Sequence, residues 1–141
     1  MRPLRMALTK GRLEKDTVAL LEKAGIDCTQ VHEKGRRLIL PVGDGSMEVV
    51  LSKAADVITY VENGVCDLGV VGKDTIMEHG TRFFEVMDLG FGRCRFALAG
   101  PKGVDFYAGY REKVVASKYP NVTLACFENN KKHVRCIRKE G

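Results

Sequence analysis

No stretch of this sequence stays apolar long enough to cross a bilayer as a helix, and the N-terminal Met1-Arg2-Pro3-Leu4-Arg5-Met6-Ala7-Leu8 turns polar at Thr9-Lys10, too early for a secretory signal. These absences point to a cytoplasmic protein with no membrane partner. Cys28, Cys66, Cys94, Cys126 and Cys136 are odd in number, far apart and without a Cys-x-x-Cys pair, which argues against a disulfide framework and against a zinc cluster. All five are expected as free thiols, none of them catalytic, and no metal ligands are assigned to the chain. There is no internal repeat and no low-complexity segment. What remains is a chain of 141 residues with 45% apolar and 29% charged content, enough for one ordinary globular domain or parts of two. Its net charge of +5 is scattered, apart from Lys131-Lys132 and the tail Arg135 to Lys139, and fits a site for a small anion as well as a nucleic-acid surface.

The pattern along the chain is that of an α/β protein. Met6-Ala7-Leu8 is a short apolar run that ends in Thr9-Lys10-Gly11-Arg12. Leu13, Thr17, Leu20, Leu21 and Ala24 then share one helical face, and Gly25 closes the helix. A phosphate at this strand-turn-helix junction meets a helix N-terminus, the Gly11 backbone and the side chains of Lys10 and Arg12. Taken alone, Lys-Gly-Arg is only three residues, and solvated basic side chains explain it as well. Lys34-Gly35-Arg36-Arg37 leads into Leu38-Ile39-Leu40, and Gly43-Asp44-Gly45-Ser46 has the residues of a tight turn before Met47 to Leu51, so a hairpin is expected. Arg36 and Arg37 are expected at the entrance of that strand, facing opposite ways.

The stretch Cys66-Asp67-Leu68-Gly69-Val70-Val71-Gly72-Lys73-Asp74 reads as a central, buried strand, Leu68 to Val71, running into a ligand crevice. A helix from Asp56 to Asn63 precedes it and another from Asp74 to His79 follows. Gly69, Gly72 and Lys73 are accordingly candidates for close approach to a ligand at a strand end; a strand end whose glycines serve packing alone is the alternative. Further strands are expected at Phe83–Leu89, Cys94–Ala99, Val114–Ala116 and His133–Ile137, with a helical turn within Tyr107–Lys113 and a helix from about Asn121 to Asn129. A domain crossing is placed near Gly92. The final strand has no following element, an open βαβ unit, so the sequence is expected to be shorter than the natural protein.

Six blocks, Thr9 to Leu13, Arg36 to Ile39, Asp56 to Gly64, Cys66 to Asp74, Asp88 to Arg95 and Lys118 to Asn121, together resemble the catalytic subunit of ATP phosphoribosyltransferase in unbroken order from about Met6 to Gly141. The resemblance implies a two-lobed fold of the periplasmic-binding-protein type (type II), with an active-site cleft between lobes: residues 1–92 as the first, and 93–141 as the first half of an incomplete second. It implies condensation of ATP with phosphoribosyl pyrophosphate, with Mg²⁺ on the polyphosphates, as the first step of histidine biosynthesis. Arg12 and Arg36 match arginines that bridge substrate phosphates, with Lys10 and Gly11 forming the turn beside them. Asp88 and Tyr119 match positions lining the adenine nucleotide pocket. Lys53 stands where arginine is frequent and Ile58 where proline is usual. An oligomer is implied, and in the short form of the enzyme a regulatory partner resembling histidyl-tRNA synthetase.

The family's acidic, glycine- and threonine-rich phosphoribosyl loop has no counterpart before Gly141. The chain alone is therefore expected to bind nucleotide poorly and not to catalyse. A non-catalytic module that binds anionic solutes through the same fold is the alternative, and the cluster Lys10, Arg12 and Arg36 argues against a binder of neutral or cationic solutes. Nucleic-acid binding has only the basic tail in its favour and lacks an aromatic-basic surface motif.

Overall fold

The computed structural model describes residues 1–80 and 82–140; Gly141, the last residue of the family resemblance, lies outside them. The chain divides into two compact units, Met1–Arg93 and Cys94–Gly141.

The first unit is a mixed sheet between helices. Its strands are β1 (Leu4–Thr9), β2 (Ile39–Val42), β3 (Met47–Ser52) and β4 (Leu68–Val70), in the order β2-β3-β1-β4. β1 is parallel to both β3 and β4, and β2 returns antiparallel along β3. Side chains on successive strand residues point to opposite faces, and the two cores follow that period of two. Met6, Leu8, Met47, Val49 and Leu51 go to the face covered by α1 (Arg12–Lys23) and α2 (Thr29–His32), where Val18, Leu21, Cys28 and Val31 meet them. Ala7 and Val50 go to the other face, against Val57, Tyr60 and Val61 of α3 (Ala54–Glu62). α4 (Lys73–His79) follows β4.

Two expectations are corrected in this unit. β4 is not central: among the described residues it pairs only with β1, at the end of the sheet, and Leu68 is 37% exposed. The central strand is β1, whose Ala7 and Leu8 are fully buried. Phe83–Leu89 forms no strand; Phe84, Val86 and Met87 are exposed. An apolar run becomes a strand only when a neighbour completes its hydrogen-bond ladder, and none of the described residues does so here. The short helix α2, four residues long, gives too little periodicity to be read from sequence.

The second unit is a βαβ element. β5 (Lys113–Ser117) and β6 (Val134–Arg138) pair in parallel, with Val114 opposite Arg135 and Ala116 opposite Ile137, and α5 (Pro120–Asn129) connects them. Pro120 suits the first helical position, where no backbone N–H is needed. Phe127, the buried residue of α5, lies 5.9 Å from the ring of Phe106. Cys94–Ala99 is not a strand, and Tyr107–Lys113 holds no helical turn. Phe96 packs edge-on against Tyr119 with ring centroids 5.1 Å apart; ring contacts rather than a ladder occupy that segment.

All five cysteines are free: Cys28 and Cys66 are buried, Cys136 is half-buried, and Cys94 and Cys126 are exposed. Burial pushes the Cys28 and Cys66 thiols up, away from the reactive thiolate. No helix among the described residues is long and apolar enough to cross a membrane.

Candidate functional site

Because β1, β3 and β4 are parallel, their carboxyl ends share one edge of the sheet, and the start of the antiparallel β2 lies at that same edge. Four separate stretches therefore arrive together: Lys10-Gly11-Arg12 after β1, Lys53 after β3, Gly72-Lys73 after β4, and Lys34-Gly35-Arg36-Arg37 before β2. The connections are explicit. The Lys10 amide donates to the Ser52 carbonyl at 3.0 Å, the Thr9 hydroxyl to the Val70 carbonyl at 3.1 Å, and the Leu51 amide to the Leu38 carbonyl at 2.8 Å. The carboxyl edge of parallel strands is where α/β proteins place ligands, since turns there expose backbone N–H groups and helices begin there.

The first turn leaves open space at its glycine. Gly11 has φ 103° and ψ −131°, a conformation that side chains oppose, and nothing lies within 4 Å of where its β-carbon would be. It caps the twelve-residue helix α1. Glu14, in the first turn of that helix and buried, reaches back to accept the Gly11 amide at 3.3 Å, while its other oxygen pairs with the ammonium of Lys34.

Arg36 is not a strand residue, which corrects the expected alternation with Arg37. It sits inside a turn closed by the Arg37 amide on the Lys34 carbonyl, with Gly35 at φ 57°. Both ends of this turn are tied down. Lys34 is held by Glu14, and the Arg37 guanidinium donates to Gln30 Oε1 at 3.1 Å and to the Glu33 carbonyl at 3.3 Å. Arg36 projects between these anchors. Its guanidinium, that of Arg12 and the ammonium groups of Lys10 and Lys53 are exposed and have no partner among the described residues. Lys53 is the cap residue of α3, with extended backbone.

Other sequence candidates are placed differently. Lys73 already holds Glu85 at 2.6 Å. Gly72 precedes α4, and the Asp74 carboxylate folds over it. Gly69 lies inside β4 opposite Ala7, away from the strand end, where α3 packs over it. Asp88 follows the irregular 83–87 segment and accepts the Gly90 amide at 2.8 Å. Tyr119, in the second unit, caps α5 and carries the Phe96 contact.

Sequence reasoning missed Glu14, Lys34 and Ser52. A glutamate three residues after a glycine turn is a recognisable signal for a reach-back contact. Its bond to Lys34, twenty residues on, has no local signature. Ser52 closes β3; its hydroxyl is buried and has no hydrogen-bond partner among the described residues.

The opposite edge is unsuited to a polyanion. Its two open depressions are lined by Asp27 and Asp44 in one case and Asp67 in the other. Hydrogen bonds from Thr29 and Ser46 hold the first two carboxyls below their ordinary range, and those from Arg2 and the Arg5 amide do the same for Asp67, so all three stay ionised. For Mg²⁺ the donor set at the carboxyl edge does not fit: it is cationic, and among the described residues no three His, Cys, Asp or Glu side chains cluster.

The family described as HisG: ATP phosphoribosyltransferase matches residues 53–141. An ATP phosphoribosyltransferase of Clostridium kluyveri is 51% identical over 140 residues, covering 99% of this chain and 64% of the relative. One from Listeria monocytogenes is 48% identical over 141 residues, covering 100% of this chain and 66% of the relative. The chain thus spans just under two thirds of the length of these curated relatives. Among solved structures, the ATP phosphoribosyl transferase (HisG:HisZ) complex from Thermotoga maritima superposes with a TM-score of 0.78 at 31% identity, over 98% of this chain and 64% of that one.

Proposed function

Since the chain belongs to the HisG ATP phosphoribosyltransferase family, we propose that it forms the greater part of the catalytic subunit of such an enzyme, joining N1 of the ATP adenine to C1 of phosphoribosyl pyrophosphate with release of pyrophosphate, at the head of histidine biosynthesis. The observation that carries this reading is the convergence of Lys10, Arg12, Arg36 and Lys53, all exposed and unpaired among the described residues, at the carboxyl edge of the sheet.

The chemistry suits that edge. As the bond from C1 to pyrophosphate breaks, positive charge grows on the sugar and negative charge on the leaving group, and no protein nucleophile is required. Fixed cations and backbone N–H groups placed against the departing phosphates lower the barrier without reorganising. A guanidinium spans two phosphate oxygens, which favours Arg12 and Arg36 for this role over lysines. Lys10 and the Gly11 turn hold the same polyanion at the N-terminus of α1, with Lys53, Gly72 and Lys73 carried over as further substrate-binding positions, while Gly69 serves the packing of α3 on β4. Asp88 and Tyr119 serve the adenine nucleotide. Mg²⁺ enters with the substrate polyphosphates rather than on protein ligands. The two units are read as belonging to the two lobes of a type II periplasmic-binding-protein fold. The HisG:HisZ relative supports an oligomer with a regulatory subunit resembling histidyl-tRNA synthetase.

The test is product formation. A polypeptide of the relatives' full length that carries this sequence, supplied with a regulatory partner where one is needed, should form phosphoribosyl-ATP from ATP, phosphoribosyl pyrophosphate and Mg²⁺. Product formation unaffected by Arg12→Ala and Arg36→Ala would overturn the reading.

A further inference from the structure

The two arginines of the candidate site stand on turns 24 residues apart in sequence, and one buried carboxylate touches both turns. Glu14 accepts the Gly11 amide with one oxygen, at 3.3 Å, and the Lys34 ammonium with the other. Its side chain is 9% exposed and that of Lys34 37% exposed, so the pair is shielded in a way that surface ion pairs are not. Lys34 opens the turn that displays Arg36, and Gly11 opens the helix that begins with Arg12. The far side of the Arg36 turn is fixed separately by Arg37 on α2.

We propose that Glu14 is a positioning residue: through Lys34 it sets the Arg36 turn against the Arg12 turn, so that both guanidinium groups face one polyphosphate. This rests on the reading of Arg12 and Arg36 as phosphate ligands. It assigns a favourable role in anion binding to an acidic residue, and that gives it an unusual sign. A carboxylate that merely sits near an anion site weakens binding by repulsion, so neutralising it should tighten binding. A carboxylate that holds the Arg36 turn in place has the opposite effect. Glutamine can still accept the Gly11 amide but loses the ion pair, which makes Glu14→Gln selective for the Lys34 link.

The experiment is calorimetric titration of a polypeptide of the relatives' full length that carries this sequence, with inorganic pyrophosphate at low ionic strength. Wild type is compared with Arg36→Ala, Glu14→Gln and Lys34→Met, and with Glu14→Gln and Lys34→Met each combined with Arg36→Ala, the melting temperature of every variant being recorded. Arg36→Ala should weaken binding about tenfold or more, and Glu14→Gln and Lys34→Met about three- to tenfold each. In the Arg36→Ala background the other two substitutions should cost nothing more, because the turn they position no longer carries its ligand. Lys34→Arg, which keeps the ion pair, should bind as wild type does. If Glu14→Gln lowers the melting temperature so far that binding is unreadable, Lys34→Met, at the solvent end of the pair, tests the same link. Failure of wild type to bind, or an Arg36→Ala variant that binds equally well, overturns the phosphate reading itself. A clear loss with Arg36→Ala but unchanged or tighter binding with Glu14→Gln and Lys34→Met leaves that reading standing and overturns the positioning role.

Discussion

A β-carbon on Gly69 would lie 2.7 Å from Cγ1 of Val57. Val61 Cγ2 is close behind at 2.9 Å, so α3 rests directly on the backbone of β4. Any side chain at this position must push the helix off the sheet or force two branched, rotamer-restricted valines aside. Gly69→Ala should therefore destabilise the first unit by about 1–3 kcal/mol, read from urea denaturation. Adding Val57→Ala should recover part of that loss. If Gly69→Ala proves neutral in stability but weakens ligand binding, the glycine faces the ligand and not the helix.

The Gly69 contact shows what a sequence discloses and what it withholds. Local periodicity exposes β1, the Gly11 turn and α1, the β2–β3 hairpin, α3 and the β5-α5-β6 element, because each is specified by residues close together. The position of β4 at the end of the sheet depends instead on which strand pairs with which, and the apolar run Leu68–Val71 reads the same in either place. The runs Phe83–Leu89 and Cys94–Ala99 fail as strands for the same reason. At the candidate site, Lys10, Arg12 and Arg36 are legible as basic residues beside the turns at Gly11 and Gly35, and Lys53 through the family resemblance. Their arrival at one edge follows from strand order, and Glu14–Lys34 from a contact across the fold.

Arg36 and Arg37 are neighbours with separable roles. Arg37 binds Gln30 and the Glu33 carbonyl and so joins α2 to the start of β2. Arg37→Ala should lower stability by about 1 kcal/mol and, by freeing one end of the turn, weaken pyrophosphate binding less than Arg36→Ala does. Arg36→Ala should leave the melting temperature in place and reduce affinity. Exchange of these two outcomes in the same pair of variants would show the turn presenting the other arginine.

Asp67 links the start of β4 to the start of β1: it pairs with the Arg2 guanidinium at 2.7 and 2.9 Å and accepts the Arg5 amide at 2.9 Å. These bonds, the Arg2 pair first, hold its carboxyl below the ordinary carboxylate range. A group lowered in the folded state stabilises the fold above its unfolded pKa, and that contribution is lost as pH falls through the folded value. The melting temperature should thus fall as the pH drops below the ordinary carboxylate range, and Asp67→Asn should flatten that limb while lowering stability at pH 7. An acid limb of the same slope in Asp67→Asn would assign the loss to other carboxyls.

Thr17 on α1 is 2% exposed, and its hydroxyl finds no hydrogen-bond partner among the described residues. Burying an unpaired hydroxyl costs free energy that valine, of nearly the same shape, avoids. Thr17→Val should leave the fold unchanged and raise stability by up to about 1 kcal/mol, measured as a higher urea midpoint. A lower midpoint would reveal a bond to the hydroxyl, such as one to ordered water.

The placement of a polyphosphate at the carboxyl edge of the first sheet is tested most directly by titrating the ¹⁵N-labelled chain with pyrophosphate and following every backbone amide. Saturable shifts should concentrate at Lys10, Gly11 and Arg12, at Lys53 and in the Lys34–Arg37 turn, with Gly45, Ser46 and Asp67 at the opposite edge unmoved. Shifts centred on Gly45, Ser46 and Asp67, or spread evenly over the basic tail Arg135 to Lys139, would contradict that placement.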